Sequence, residues 1–432
     1  MNTTEETAGQ PVTNAQRNYV FILLFILMLC DQADRMVITS LFPYIQKDWG
    51  ISDLECGLLV SMFYWAAVVC VFPASILVDR WSRKKSIGIL SIIWSVASFA
   101  GAFTTSFRQL LTTRTVIGVG EAGYGPAGAA MLSWLYPLER RARVFGIWNA
   151  AQPLGMAVGV ALGGIIAVHL GWRHAFGIVA IPGLIAAILF FFAKDYKSVP
   201  LQKTVAGSAG EASTKAKMKT GDVAKVFLGN PTVILTYLGL AGVIFVVTAI
   251  STWLPSYFHR IGGMAQDEAS LRASLVLVLS MVGFFIGGFF SDIWVKKKLN
   301  SRPIFAAMTT LVSGLLVFIA FSLTGLAQYC VLIVMGILIT AFAPAGLATI
   351  QEVVHPGLRG MSYALAVLCM NLLGGSLGPI VVGSISDASN LQTAMMTLPR
   401  FLVLAAAFFF AASFFYVRDF NKVEKVTLEV ES

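Results

Sequence analysis

Four ionisable side chains lie inside stretches of sequence that are otherwise apolar. Asp34 and Arg35 fall in the first such stretch, and Arg114 and Glu121 fall in the fourth. A charge near the centre of a bilayer costs about 3 kcal/mol even on lenient scales, so residues of this kind usually face a polar cavity. Two carboxyls and two guanidiniums in such a cavity can exchange protons and bind an anion. The residues therefore predict a pathway for a polar solute or for protons.

The spacing of these residues predicts which of them can meet. Arg114 and Glu121 are seven residues apart, which in a helix places both on one face about 10 Å apart, too far to pair. Arg114 would lie roughly 6 to 8 Å below the outer surface and Glu121 roughly 17 Å below it, near the midplane. Asp34 falls at a depth comparable with Arg114, which predicts a contact between the two. Asp31 precedes Arg35 by four residues, which predicts an ion pair within one helix.

We predict that Glu121 and Asp34 are proton-coupling residues. Burial favours the neutral form of a carboxyl and a nearby arginine favours the ionised form, so an arginine that moves between two positions would switch protonation. The alternative is a static network that neutralises the charges and joins the first stretch to the fourth. Arg114 and Arg35 present forked donors that suit a carboxylate or a phosphate, which favours an anionic or zwitterionic substrate.

The second half of the chain has no mid-membrane charge and offers neutral side chains to a cavity. We predict that Trp253 and Asn371 contact the substrate there, together with Tyr124 in the first half. Each of these residue types also serves as a packing residue. The first half would then handle protons and charge, and the second half would shape the less polar part of the ligand.

Composition indicates what positions these residues. The chain has 432 residues, of which 57% are hydrophobic and 12% charged, and its mean hydropathy is +0.78, outside the range of soluble domains. Apolar stretches long enough to cross a hydrocarbon core of about 30 Å recur throughout. We predict an all-α membrane protein with twelve transmembrane helices, here called spans 1 to 12, at residues 19–45, 54–78, 86–106, 109–135, 144–168, 174–193, 231–257, 271–293, 303–323, 326–350, 360–383 and 394–417.

The positive charges predict the orientation of the chain. With the N-terminus in the cytoplasm, 23 Lys and Arg residues fall in cytoplasmic segments and six in external ones. This asymmetry places both termini in the cytoplasm, with a bacterial inner membrane as the expected location. The net charge of +9 is thus a signal of topology and not of nucleic-acid binding. The polar tail before span 1 lacks a basic region and a cleavage site, so we expect span 1 to be retained.

Other classes of function find little support in the sequence. The five cysteines are scattered, without a CxxC pair or metal-ligand spacing. No His/Asp/Glu constellation, nucleophile elbow or phosphate loop is present, so we expect neither an enzyme nor a bound metal or cofactor. A channel and a non-transporting sensor remain as alternatives. We expect a monomer whose partners are the bilayer, protons and a small-molecule or lysolipid-like substrate.

An internal repeat divides the chain into two pseudo-symmetric bundles of six helices. The tripeptide at 126–128 recurs at 344–346, and each proline precedes an arginine, Arg141 or Arg359, by fifteen residues. The acidic-then-basic loop after span 2 also recurs after span 8, at Asp292. Parallel repeats of six spans, with the site at their interface, are a transporter architecture. The predicted parts are an N-terminal tail, a first bundle, a Lys-rich linker, a second bundle and a C-terminal tail, at 1–18, 19–193, 194–230, 231–417 and 418–432.

The loop after span 2 resembles a signature of the major facilitator superfamily. Asp79 and Arg80 are followed by Arg83, while Ser75 and Ser82 replace two glycines that are usual in the family. The resemblance implies that Asp79 and Arg80 grip neighbouring helix ends and steady the outward-facing state. We extend a gating role to the remaining charged residues of these equivalent loops, namely Arg83, Arg141, Asp292 and Arg359.

The run from Arg114 to Tyr124 is similar to the fourth helix of spinster-like transporters, and Asp34-Arg35 is similar to their first. This resemblance implies alternating access and an amphipathic lipid substrate such as a lysolipid or sphingosine phosphate. Organic anion:cation symporters share the Asp-Arg pair, the Arg/Glu pair and a sequence like 134–140. They imply instead a proton-coupled symporter of sugar acids or other carboxylates. The residues leave the choice of substrate open.

Overall fold

The computed structural model describes residues 13–80, 82–193 and 227–423, with the backbone alone at 72, 75–80, 83, 138, 139 and 142. Every regular element in these ranges is helical. The N-terminal six spans comprise, in order, Asn14–Met36 with Val37–Ser40 and Phe42–Trp49; Asp53–Arg80; Arg83–Ala100; Phe107–Glu121 with Tyr124–Leu135; Leu138–His169; and Trp172–Phe190. The next six comprise Pro231–Arg260; Gln266–Val295; Ser301–Ser322; Gly325–Leu338 with Phe342–Glu352; Arg359–Cys369 with Met370–Gly375 and Leu377–Ala388; and Leu391–Asn421.

These helices confirm the prediction of an all-α membrane protein. Ten of the described helical segments are long and apolar enough to cross a membrane. The other two passes are spans 1 and 4, which carry the buried charges. Span 1 includes three ionisable residues within five positions, and span 4 is split into two shorter helices. The predicted linker lies mostly outside the described residues.

Two of the spans break at equivalent positions, and the repeated prolines explain why. Span 4 breaks between Glu121 and Tyr124, and span 10 breaks between Leu338 and Phe342. A proline lacks the N–H that would bond to the carbonyl four residues earlier, and its ring also clashes with that carbonyl. For Pro126 and Pro344 the affected carbonyls belong to residues 122 and 340, which lie in the two breaks. The sequence repeat is therefore also a structural repeat.

Close packing of span 5 on span 1 determines which residues of span 1 face inwards. A Cβ atom at Gly155 would fall on the carbonyl oxygen of Leu29, and one at Gly159 would fall on that of Ala33. Small residues at this spacing let two helix backbones approach closely. At about 100° per residue, Arg35 and Asp34 then both point away from span 5, on opposite flanks of span 1.

The two bundles contact each other at one end of the molecule. We call the end with the loop between spans 1 and 2 the far face, and the opposite end the termini face. Span 2 packs on span 11 and span 5 packs on span 8. Gln266 donates to the backbone carbonyl of Ser40 at 2.7 Å, and Ser61 donates to that of Ser376 at 2.5 Å. The hydrogen bonds that we find between the bundles cluster towards the far face.

Candidate translocation site

The first group of buried charges centres on Arg35, and we call Asp31, Arg35 and Glu121 the Arg35 triad. Arg35 Nη2 lies 2.5 Å from Glu121 Oε2 and 3.7 Å from Asp31 Oδ2. Its guanidinium carbon lies 3.9 Å from the ring centroid of Phe63, where a cation–π interaction adds to the ion pairs. The ion pair with Asp31 is confirmed. The shorter contact with Glu121 joins span 1 to span 4 and is absent from the sequence prediction.

The second group centres on Arg114, and we call Asp34, Ser98 and Arg114 the Arg114 group. Arg114 Nη1 donates to the backbone carbonyl of Asp34 at 3.1 Å, and Ser98 donates to Asp34 Oδ1 at 3.0 Å. The guanidinium lies over the ring of Phe176, 4.6 Å from its centroid. The predicted contact of residues 34 and 114 therefore exists, but through the backbone carbonyl of Asp34 and not through an ion pair.

The two groups differ in how far they are open to the interior. The Arg35 side chain is 18% exposed, whereas Asp34 is fully buried and Arg114 is 2% exposed. Arg114 contacts span 1 through the carbonyl of Asp34 and span 6 through the ring of Phe176. Glu121 lies at the end of the first helix of span 4, beside the break. Arg35 is thus the cation that a solute can reach in this conformation.

The charges of the two groups do not balance. Three carboxyls, Asp31, Asp34 and Glu121, accompany two guanidiniums. Asp31 Oδ1, Asp34 Oδ2 and Glu121 Oε1 are buried, and none has a hydrogen-bond partner among the described residues. Burying an uncompensated charge is costly, and protonation of one carboxyl removes that cost. This arrangement can therefore take up one proton.

Tyr124 supports the break in span 4. Its hydroxyl donates to the backbone carbonyl of Leu24 at 2.5 Å, and the indole N–H of Trp148 donates to the same carbonyl at 3.1 Å. The ring packs edge-on against Trp94 at 5.4 Å between centroids. Tyr124 is 2% exposed, so in this conformation it fixes the helix ends that flank Glu121.

The residues predicted in the second bundle lie apart from the buried charges. Trp253 is fully buried, donates to the backbone carbonyl of Pro379 at 3.1 Å and packs on Phe42. Asn371 lies in the π-helical turn of span 11 and is half-buried. Neither has a hydrogen bond to the Arg35 triad within the described residues. Their predicted contact with the substrate stays a prediction.

An apolar cavity of about 210 Å³ lies between the bundles, bounded by spans 5, 7, 8 and 10. Its walls include Met156, Met281, Phe284 and Met335, with Ser251 among the few polar residues. Methionine adapts its shape to irregular apolar ligands. The cavity can therefore hold an apolar group between the two bundles.

The predicted gating residues lie at the termini face. Asp292 pairs with Arg302 at 2.9 Å, and Arg302 also pairs with Glu352 of span 10. Arg141 Nε donates to the carbonyl of Tyr136 at 2.9 Å, and Arg359 Nε donates to that of Gln351 at 3.1 Å. The side chains of Asp79, Arg80 and Arg83 lie outside the described part of the structure, so their roles stay predictions.

Sequence reasoning missed a polar cluster at the far face that joins the bundles. We call Gln46, Asp53, Arg260, Ser386 and Asp387 the far-face latch. Arg260 Nη1 lies 2.9 Å from the Asp53 carboxylate, to which Ser386 also donates. The Asp387 carboxylate accepts from the backbone N–H groups of residues 53 and 54 at 2.8 and 2.9 Å. An acidic residue such as Asp387 can stabilise a helix N-terminus. In the sequence, however, a charge at the end of a span looks the same as an ordinary solvent-exposed charge.

Two six-helix bundles around buried charges and an interfacial cavity define a membrane carrier, and the comparisons with known proteins name its family. Residues 24–379 match the Major Facilitator Superfamily. The chain belongs to this superfamily, whose members are transporters and not enzymes. It is 27% identical to the hexuronate transporter of Bacillus subtilis, covering 86% of this chain and 88% of that one.

Spinster proteins are similarly related. The chain is 26% identical to protein spinster homolog 1 of Xenopus laevis, covering 94% of this chain and 82% of that one. The fold matches a bacterial homologue of the human lysosomal transporter spinster, solved in an inward-facing, unoccupied conformation. The TM-score is 0.82 with 23% identity, covering 94% of this chain and 99% of that chain.

Proposed function

We propose that this protein is a proton-coupled secondary transporter of an anionic or zwitterionic amphipathic substrate. It works by alternating access in a bacterial inner membrane, with both termini in the cytoplasm. The observation that carries the proposal is the unbalanced Arg35 triad: two carboxyls from different spans share one guanidinium, itself partly exposed to the interior. Such a group can bind a proton together with an anion.

Coupling follows from the competition for Arg35. When Glu121 is ionised, its ion pair with Arg35 joins spans 1 and 4. Protonation of Glu121 weakens that pair, because a neutral carboxyl loses the charge-assisted hydrogen bond. Arg35 can then bind a carboxylate or phosphate of the substrate. Asp34 acts as a second proton site. The hydrogen bond from Arg114 to the backbone carbonyl of Asp34 links movement of span 1 to movement of span 4.

The apolar cavity between spans 5, 7, 8 and 10 favours an amphipathic substrate. In this proposal the anionic group binds at Arg35 and the alkyl part of the substrate packs against Met156, Met281 and Phe284, which line the cavity. Burial of apolar area there contributes about 25 cal/mol per Å². A small organic acid is the second candidate, supported by the similarity to a hexuronate transporter and by a guanidinium that suits any carboxylate.

The position of the far-face latch supports an inward-facing state. The latch closes the end of the molecule opposite the termini. If the termini are cytoplasmic, as the positive charges predict, this conformation opens to the cytoplasm. Transport then requires the latch to break and the termini face to close.

A ligand panel distinguishes the two substrate classes. Thermal melting of the purified protein is measured with lysolipids, sphingoid compounds and sugar acids. We expect a lysolipid or sphingoid compound with an anionic group to raise the melting temperature most, and Arg35→Lys to lose most of that shift because a lysine cannot form a bidentate pair. Arg272→Lys changes the same residue type at an exposed ion pair and should keep it. Stabilisation by sugar acids alone would support the second candidate.

Proton coupling is tested in proteoliposomes with the best ligand of that panel. Glu121→Gln and Asp34→Asn should lose uptake driven by a pH gradient. Glu268→Gln and Asp267→Asn are matched controls, because they neutralise exposed or half-buried carboxyls at the far-face end of span 8. Undiminished proton-driven uptake in both Glu121→Gln and Asp34→Asn would refute the coupling proposal and leave a static charge network.

A further inference from the structure

A deep groove opens on the outside of the second bundle, away from the translocation site. It has a volume of about 450 Å³ and lies between spans 8, 9 and 10. Its walls are apolar, with Phe290, Ile293, Phe305 and Met308 among them. Met308 is 54% and Phe290 54% exposed, so the groove is open to the hydrocarbon region. Trp294 packs edge-on against Phe305, with 6.5 Å between the ring centroids, and forms its end.

Three consecutive lysines lie at that end of the groove. Lys297 lines it, and Lys296 and Lys298 flank Lys297 in the turn after span 8. All three are exposed, and within the described ranges none has a carboxylate at ion-pair distance. Asp292, which precedes Lys296 by four residues, pairs with Arg302. Three positive charges without an ion-pair partner among the described residues therefore lie at one end of the apolar groove, at the membrane surface.

A second groove provides the contrast. It lies between spans 3 and 4, has a similar volume of about 420 Å³, and is lined by apolar residues with Thr112 and Thr113. No basic residue lines it. An apolar groove alone is thus found on both bundles, whereas the combination of a groove, a tryptophan and a lysine cluster is found on the second bundle.

We propose that the groove at Lys297 binds an anionic phospholipid of the bilayer. One acyl chain lies along Phe290, Phe305 and Met308, Trp294 lies at the level of the headgroup, and the three ammonium groups bind the phosphate. Basic pockets between helices on the cytoplasmic side bind anionic headgroups, and tryptophan prefers the interface between headgroup and hydrocarbon. The site is separate from the transported substrate, and the inference does not depend on what that substrate is.

The test uses phospholipids with brominated acyl chains, which quench nearby tryptophan fluorescence. The chain has nine tryptophans, so the Trp294 signal is taken as the difference between the wild-type protein and Trp294→Phe. In phosphatidylcholine vesicles, brominated phosphatidylglycerol should quench Trp294 at a much lower mole fraction than brominated phosphatidylcholine. Each basic residue at an anionic surface contributes roughly fivefold in affinity, so removing three should reduce the preference about 100-fold.

The variant Lys296→Gln/Lys297→Gln/Lys298→Gln should therefore lose the preference. Arg140→Gln/Arg143→Gln/Lys422→Gln removes three exposed charges from the same face of the protein, away from the groove, and should keep it. Met308→Phe narrows the groove without changing charge or adding a tryptophan, and should reduce quenching by both lipids. Equal quenching of wild-type Trp294 by the two lipids would overturn the proposal, as would an equal loss in the control triple variant. This comparison needs only the wild-type protein and the conservative variant Trp294→Phe to fold.

Discussion

Breaking the far-face latch should open the far face of the protein. In the structure Arg260 reaches from span 7 to Asp53 of span 2, at 2.9 Å, and this contact exists only while the bundles are closed at that end. The substitution Arg260→Gln removes the cation and leaves Asp53, which is 6% exposed, with neutral donors from Gln46 and Ser386. The closed state is thus destabilised relative to the open one.

The size of the effect follows from the geometry. A hydrogen bond to a charged group contributes roughly 1.5 to 3 kcal/mol. The Arg260 side chain is 28% exposed, so solvent screening favours the lower end of that range. A loss of about 1.5 kcal/mol shifts the ratio of closed to open molecules roughly tenfold.

The assay is a distance distribution between spin labels at Lys47→Cys and Ala265→Cys, exposed positions on the two bundles at the far face. The accessible native cysteines, Cys70, Cys330 and Cys369, are first replaced. Arg260→Gln should increase the ratio of the long-distance to the short-distance population about tenfold. Glu268→Gln breaks an ion pair of similar length, but one within span 8, and should not change the distribution. An unchanged distribution in Arg260→Gln would refute the latch.

Three further predictions concern stability. Gly159→Ala should destabilise the protein by about 1 to 3 kcal/mol, because the Cβ of the new alanine would overlap the Ala33 carbonyl. Gly146→Ala is the control: a Cβ there meets open space, so the melting temperature should stay unchanged or rise. Tyr124→Phe should lower the free energy of unfolding by only about 1 kcal/mol, because Trp148 still donates to the carbonyl of Leu24. Thermal or denaturant unfolding measures this, and a loss above ~3 kcal/mol would contradict it. Hydrogen bonds from the indole of Trp172 and then from Arg173 hold the pKa of the Asp48 carboxyl below its usual range. The resulting stabilisation is present above the unfolded pKa, about 3.9, and is lost as the pH falls through the lower folded value. Asp48→Asn should thus lower the melting temperature slightly at pH 7 and by less at pH 3, with an effect under ~1 kcal/mol because the pair is 41% exposed. Equal losses at both pH values would refute it.

Much of the fold could be predicted from the sequence because its signals are local. Hydropathy determines the spans, and the repeated prolines determine the breaks in spans 4 and 10. The glycines of span 5, spaced four residues apart, also indicate close packing. The bounds of span 1 differ, since it runs on to Trp49 beyond a 3-10 turn, which a hydropathy pattern does not register.

The site was predicted less completely because its contacts are between helices. Depth along each helix suggested that residues 34 and 114 meet, and they do. Depth in the membrane does not determine the rotation of a helix about its own axis, however. The rotation of span 1 places Arg35 beside Glu121. Arg35, for which the sequence predicts only the ion pair with Asp31, also contacts Glu121 and the ring of Phe63 in the structure. The far-face latch depends on how the two bundles dock, which no pattern within one span contains.

Exchange and accumulation in proteoliposomes test the account most directly. With the ligand selected by thermal stabilisation, wild-type protein should show saturable counterflow and should also concentrate the ligand when a pH gradient is applied. The central role of Glu121 predicts that Glu121→Gln keeps counterflow, because the carrier still alternates, but loses accumulation driven by the gradient. Accumulation by Glu121→Gln equal to that of the wild-type protein would contradict the account.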